Sequence, residues 1–330
     1  MSPILYPELA PIALLSSFLL LIPLPWHWRA RNVATLSIIL WLFIANITYA
    51  VDAIIWKDNV ALIAKVWCDI TTKLIIGINF ALPAACLCIC VHLEHVASAR
   101  PGPMFIADKR RRRTFEAILC FGLPVVFMAL HYVVQGHRFD VFQGYGCRPS
   151  NYFSVPALFI IWIPPLAIAT IAMVYSALAL RHFLIRRLTF ASILNSKSGL
   201  TTSRYVRLML MSTFQMIWSI SITIYTLSFT MQHMTLRKWT TWADVHSNFS
   251  RIDQYPIMLM PESVARGYYV GWWVIPISSW LFIAFFAFGR DAIEEYKKCG
   301  LWVRAQFLRL SPSRYGAPHK KGFVDLANPR

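Results

Sequence analysis

The sequence predicts an all-α membrane protein. It reads as a bundle of seven transmembrane helices, N-terminus outside and C-terminus cytoplasmic, with an amphipathic helix after span seven. Three observations predict this. Marking every Asp, Glu, Lys and Arg leaves seven charge-free stretches of twenty residues or more, at 9–28, 32–51, 74–93, 117–137, 149–180, 208–236 and 267–289. About 20 residues of helix, rising about 1.5 Å each, cross the ~30 Å hydrocarbon core of a bilayer. Segments such as 14–21 and 158–169 are apolar all round, without the polar stripe of a helix that packs on a soluble core. Finally, the 330 residues are 57% hydrophobic and only 14% charged, yet carry a net charge of +17. That composition excludes a disordered chain, and it is too apolar for a soluble nucleic-acid-binding protein.

The first stretch has no Lys or Arg before it and no small-residue cleavage pattern after it, so it reads as an uncleaved span. His27, Arg29 and Arg31 hold its far end in the cytoplasm. The inner segments are then 26–31, 94–116, 181–207 and 290–330, and they hold 23 of the 32 Lys and Arg. This is the positive-inside bias. Residues 1–289 form the membrane domain and 290–330 a cytoplasmic tail. In the tail, Ile293, Tyr296, Val303, Phe307 and Leu310 recur near helical spacing among bases, the pattern of an interfacial helix. Cys299 on that helix is a palmitoylation candidate or a plain thiol. The run Lys109 to Arg113, between spans three and four, sets topology and attracts anionic membrane lipid.

Seven cysteines are present, and only Cys68 and Cys147 face the oxidising side in this topology. We expect a disulfide between them, with two unpaired thiols as the alternative. Cys86, Cys88 and Cys90 lie two apart on a helix, so their thiols point in different directions; they read as small buried hydrophobes rather than a metal site. Asp69 and Lys73, four apart near the outer end of span three, can pair on one helix face. They form either the polar floor of an outward pocket or an interfacial pair. Asn248-Phe-Ser250 is a glycan acceptor in an outer loop, whereas Asn46-Ile-Thr48 lies mid-span. Pro83, Pro124, Pro164, Pro165 and Pro276 punctuate the spans and predict kinks. No P-loop, zinc-protease, nucleophile-elbow or dinucleotide motif occurs, so neither an enzyme nor a cofactor or metal is expected.

Particular strings carry a family resemblance. LPWHWRARN at 24–32 resembles the first inner loop of the fungal lipopeptide (a-factor-type) mating-pheromone receptors, and VWCDITTKLIIG at 66–77 resembles the top of their third span. GCRP at 146–149 and WADVHSNFSRIDQYP at 242–256 are similar to their second and third outer loops. RYVRLM at 204–209 and FFAFG at 285–289 match the start of span six and the end of span seven. The flavour is that of basidiomycete mating-type receptors. CVHLE at 90–94 replaces the usual Arg-rich inner end of span three, and ISI at 220–222 stands where a proline is common in span six.

The resemblance implies a class D G-protein-coupled receptor of the plasma membrane whose agonist is a prenylated peptide. Its partners would be that peptide and a heterotrimeric G protein, with a homodimer left open. Asp69, Lys73, Trp242, His246, Phe249, Arg251 and Asp253 are then the candidates for the peptide. Arg110, Arg111, Arg112, Arg113, Arg186, Arg187, Arg204 and Arg207 would face the G protein.

Overall fold

A computed structural model of the chain describes residues 6–98, 106–185 and 202–286, together with Lys297. Its helices are α1 (Leu9–Leu21), α2 (Leu24–Arg29), α3 (Val33–Ile55), α4 (Lys65–Ala97), α5 (Ile106–Ala117), α6 (Leu123–Leu130), α7 (Val155–Ala157), α8 (Ile163–Ile185), α9 (Thr202–His233), α10 (Trp242–Val245) and α11 (Glu262–Phe286). Six helical runs are long and apolar enough to cross a membrane: Val33–Ile55, Lys65–Ala97, Arg110–Val134, Val155–Ile185, Thr202–His233 and Glu262–Phe286. Each follows a predicted charge-free stretch. Several run past it, because a helix that has reached the interface no longer needs uncharged side chains.

The first predicted span is divided. α1 has 13 residues and ends at Leu21, and α2 has six. Pro23 and Pro25 lack the amide hydrogens that would continue the ladder. At about 1.5 Å per residue, α1 alone covers about 20 Å of a ~30 Å core. It is nevertheless part of the bundle, with Trp280 Nε1 of α11 donating to Ser16 Oγ at 2.9 Å.

Pro83 and Pro276 lie inside regular helix, whereas the other prolines predicted to kink the spans follow wider turns. A π turn at Ile118–Gly122 precedes Pro124, and another at Leu158–Trp162 precedes Pro164 and Pro165. Proline offers no N–H to the carbonyl four residues back, and the wider turn makes room for its ring. For Pro124 that carbonyl belongs to Cys120. The Trp41 indole N–H of α3 donates to it at 3.2 Å.

Buried polar pairs lock the helices together in a setting where apolar packing alone gives little specificity. Asn46 Nδ2 donates to Ser279 Oγ at 2.8 Å, joining α3 to α11. Gln215 Nε2 donates to Ser278 Oγ at 3.1 Å, joining α9 to α11. Cys90 Sγ donates to Ser212 Oγ at 3.4 Å, and Ser176 and Thr213 share a 2.6 Å bond between α8 and α9. Cys86, Cys88, Cys90 and Cys120 are free and buried.

The chain is mostly helical, as the sequence predicts, and a small sheet is added to the helices. Three short strands, β1 (Phe139–Phe142), β2 (Gly146–Arg148) and β3 (Ile252–Tyr255), form a sheet in the order β2-β1-β3. β1 runs antiparallel to β2, with Val141 opposite Cys147, and parallel to β3, with Asp140 opposite Asp253. Gly144 and Gly146, at φ +80° and +68°, supply the left-handed backbone that turns β1 into β2. The chain is reversed there by glycine, and the strands are too short to show alternation.

Candidate functional site

The sheet joins two loops at one end of the bundle and, with a third, makes a lid. Cys68 at the start of α4 is disulfide-bonded to Cys147 of β2, with Cα atoms 5.3 Å apart. Gly144 N donates to Trp56 O at 2.8 Å, and Gln254 Nε2 donates to Val60 O at 2.5 Å, so the loop after α3 joins the other two. The N-terminal segment lies at this end as well, where Tyr6 stacks on Tyr269 with ring centroids 4.8 Å apart.

Of the seven residues predicted for ligand, five lie in the lid, and Asp69 and Lys73 lie on α4, bonded to the segment that leads into it. Asp69 accepts two bonds from Arg138, Nε to Oδ1 at 2.9 Å and Nη2 to Oδ2 at 2.6 Å, a fork that suits a planar guanidinium. Lys73, one turn further, donates from Nζ to Gln135 Oε1 at 2.6 Å and lies 3.0 Å from His131 Nδ1. Instead of hydrogen-bonding each other along one helix face, the two side chains fasten α4 to the segment that leaves α6.

Thr241 caps α10 by accepting from Asp244 N at 3.2 Å. This sets Trp242 on His246, rings 4.2 Å apart, with His246 Nε2 2.9 Å from Tyr132 O. Phe249 meets the Tyr132 ring edge-on at 5.1 Å. Asn248, the predicted glycan acceptor, is exposed.

Arg251 Nε lies 3.0 Å from Asp253 Oδ1, while Asp253 Oδ2 lies 3.7 Å from His137 Nε2. The shorter contact of that nitrogen is to Asp140 Oδ1, at 2.6 Å, so His137 clasps β1 to β3. Burial pushes the Asp140 carboxyl above its ordinary range, against the opposing pull of the His137 hydrogen bond. Burial, with the charges of Asp140 and Asp253, pushes the Tyr255 phenol up to about 12. Ligand atoms of His137, Asp140 and Asp253 lie within 4.8 Å of one another, near enough to share a cation. Arg251 beside Asp253 works against one.

Beneath the lid lies a cavity of about 290 Å³ between α4, α8, α9 and α11, roofed by Arg148, Pro149 and Asn151. None of the seven predicted residues lines it. Ile275 and Trp162 give it apolar walls, and the Gln215–Ser278 pair lies at its edge. A Cβ built on Gly271 would meet nothing within 4 Å, so this position opens onto free space. The Arg148 guanidinium lies 4.6 Å over the Tyr49 ring. In the sequence Arg148 was visible only as part of the GCRP string. Trp218 and Trp272 look there like ordinary aromatic residues of a span.

The opposite end is basic. Arg110 and Arg111 are exposed; Arg112 lies 2.8 Å from His92 Nδ1 and 3.3 Å from Glu116 Oε1. Glu94 Oε1 lies 3.8 Å from His182 Nε2 of α8. The CVHLE departure thus supplies two partners of its own across this end. Tyr205 of α9 is buried, its hydroxyl 3.2 Å from Ala179 O and 3.4 Å from Leu93 O. Arg204 and Arg207 lie on either side of it. Arg186, Arg187, Cys299 and the predicted tail helix fall outside the described residues.

The chain is 58% identical over 326 residues to the pheromone B beta 1 receptor of Schizophyllum commune, covering 98% of this chain and 60% of that one. It is 34% identical over 301 residues to the pheromone B alpha 3 receptor of the same fungus, covering 90% and 48%. To the pheromone a factor receptor of Saccharomyces cerevisiae it is 28% identical over 293 residues, covering 87% and 60%. The chain thus spans about half to three-fifths of the length of these relatives. No solved structure matches it significantly. The family described as STE3, pheromone A receptor, matches residues 8–305, and the chain belongs to that family.

Proposed function

We propose that the protein is a seven-span G-protein-coupled receptor of the plasma membrane. Its lid end faces outside, its agonist is a prenylated peptide pheromone, and its basic end meets a heterotrimeric G protein. The observation that carries this reading is the placement of the cavity. It lies under the disulfide-tied lid, among four helices, three of which are joined at their other ends through Tyr205. A ligand seated there touches α4, α8 and α9 together and can favour one arrangement of them over another, which is all that agonism requires.

The apolar walls suit a lipidated ligand, and the relatives are named as pheromone receptors. In this reading Asp69, Lys73 and the lid residues, among them Arg251, meet the peptide portion. Arg110 to Arg113, Arg204 and Arg207 meet the G protein, with Arg186 and Arg187 expected beside them. The test is a G-protein reporter in cells expressing the chain. Prenylated peptides from a candidate panel should activate it, and their unprenylated forms should be much weaker. Equal responses to both forms would remove the lipid from the reading. Silence to the whole panel would favour a transporter or lipid-handling protein instead.

A further inference from the structure

Three residues that line the cavity carry buried N–H groups without a hydrogen-bond partner: Arg148 at Nε, Trp218 at Nε1 and Trp272 at Nε1. They come from three elements, β2, α9 and α11. A buried donor left unpaired costs about 1–3 kcal/mol, so such groups are rare in a folded chain. Three such donors on residues that line one space would be satisfied by a ligand that brings acceptors and draws these side chains toward it. A purely hydrocarbon ligand would leave all three donors unsatisfied.

We propose that the cavity receives the oxygen-bearing end of the ligand, with carbonyl or carboxylate oxygens accepting from Arg148, Trp218 and Trp272, and that Gly271 keeps room for the apolar chain attached to it. This rests on the reading of the chain as a receptor for a lipidated peptide, and it names the chemistry by which the site would recognise that ligand. Arg148 carries a full charge and a planar fork, so it is the donor that separates carboxylate from neutral carbonyl.

The test uses the full chain in membranes, with surface level measured by an external tag. The probes are a prenylated peptide that activates the wild type and its analogue with a methylene in place of the C-terminal carbonyl. Trp218→Phe and Trp272→Phe keep an aromatic ring and remove only the N–H side. Each should weaken the carbonyl ligand about tenfold, in the range expected for a lost buried hydrogen bond, and leave the methylene analogue unchanged. The smaller ring lowers the stability of the empty receptor by the volume it leaves, so the comparison that reads the N–H is the one between the two ligands: a merely structural role would weaken the carbonyl ligand and its methylene analogue equally. Arg148→Lys should cost more with a free C-terminal carboxylate than with its methyl ester. Gly271→Leu, which fills the space, should weaken long prenyl chains more than short ones.

If the wild type responds but both Trp→Phe variants bind the carbonyl ligand and its analogue as before, the inference is overturned while the receptor reading stands. An unchanged Gly271→Leu variant also overturns it, by moving the ligand out of this cavity. A wild type silent to every prenylated peptide overturns both.

Discussion

Single residues decide whether the bundle closes. The carbonyl of Cys120, which Pro124 cannot serve, is met by Trp41 from a neighbouring helix. Trp41→Phe should therefore cost about 1 kcal/mol of stability. Pro124→Ala restores an N–H that can reach the same carbonyl, so the cost of Trp41→Phe should shrink in that background. Melting followed by a thiol-reactive dye reads this directly, because four free cysteines are buried in the fold. Equal costs in both backgrounds would remove the link between the two positions. Glycine matters in the same way at the lid. Gly146 has φ +68°, and a Cβ there would run into the Asp52 side chain; Gly144 has φ +80° but would meet only Ile257, at 3.8 Å. Left-handed backbone costs an ordinary residue about 1–2 kcal/mol at either position. Gly146→Ala should thus leave more unpaired Cys68 and Cys147 thiol than Gly144→Ala, as read by labelling without reductant. The reverse order would mean that backbone strain alone governs the hairpin.

At the scale of the element, the ends of α4, α8 and α9 away from the lid are held by contacts that the apolar pattern does not require. The buried Tyr205 hydroxyl reaches carbonyls of both α4 and α8, and Glu94 of α4 faces His182 of α8. These contacts tie the three helices together in the arrangement described here. Tyr205→Phe keeps the ring and its packing against Phe183 but loses the hydroxyl. If the proposed coupling holds, this variant should raise basal reporter activity several-fold at unchanged surface level, with the maximal agonist response preserved. Lower basal activity would instead assign the hydroxyl to the active arrangement. His92 and Glu94 belong to the CVHLE string, and their contacts with Arg112 and His182 give this end a polar connection.

For the molecule as a whole, the six long spans were legible because an unbroken run of some twenty uncharged residues matches, as a helix, the thickness of a bilayer core. The disulfide was legible because the topology leaves two cysteines on one side. The sheet was not, since strands of three and four residues carry no period and depend on glycine turns and a parallel partner more than a hundred residues away. The cavity was also hidden. Its lining mixes Thr, Trp, Gly and Ile that look like any span, and only the packing of four helices brings them together. Charges, by contrast, drew attention to the lid end, where Asp69 is taken up by Arg138 and Asp253 by Arg251. What charge does record is orientation. The segments assigned to the inner side carry 23 bases against 7 acids, and the remainder 9 against 8. If the membrane reads this asymmetry by the positive-inside bias, the lid must lie outside, and Tyr6, packed on Tyr269, lies outside with it. An impermeant amine reagent on intact cells should then label Lys57 and Lys65 but reach Lys109 only after permeabilisation. Asn248→Gln should abolish a glycan-dependent mobility shift. Thr48→Ala should not change it, because Asn46 is buried between Leu42 O and Ser279 Oγ, where no transferase can reach. Labelling of Lys109 in intact cells would invert the bundle and put the cavity on the cytoplasmic side, out of reach of any secreted peptide.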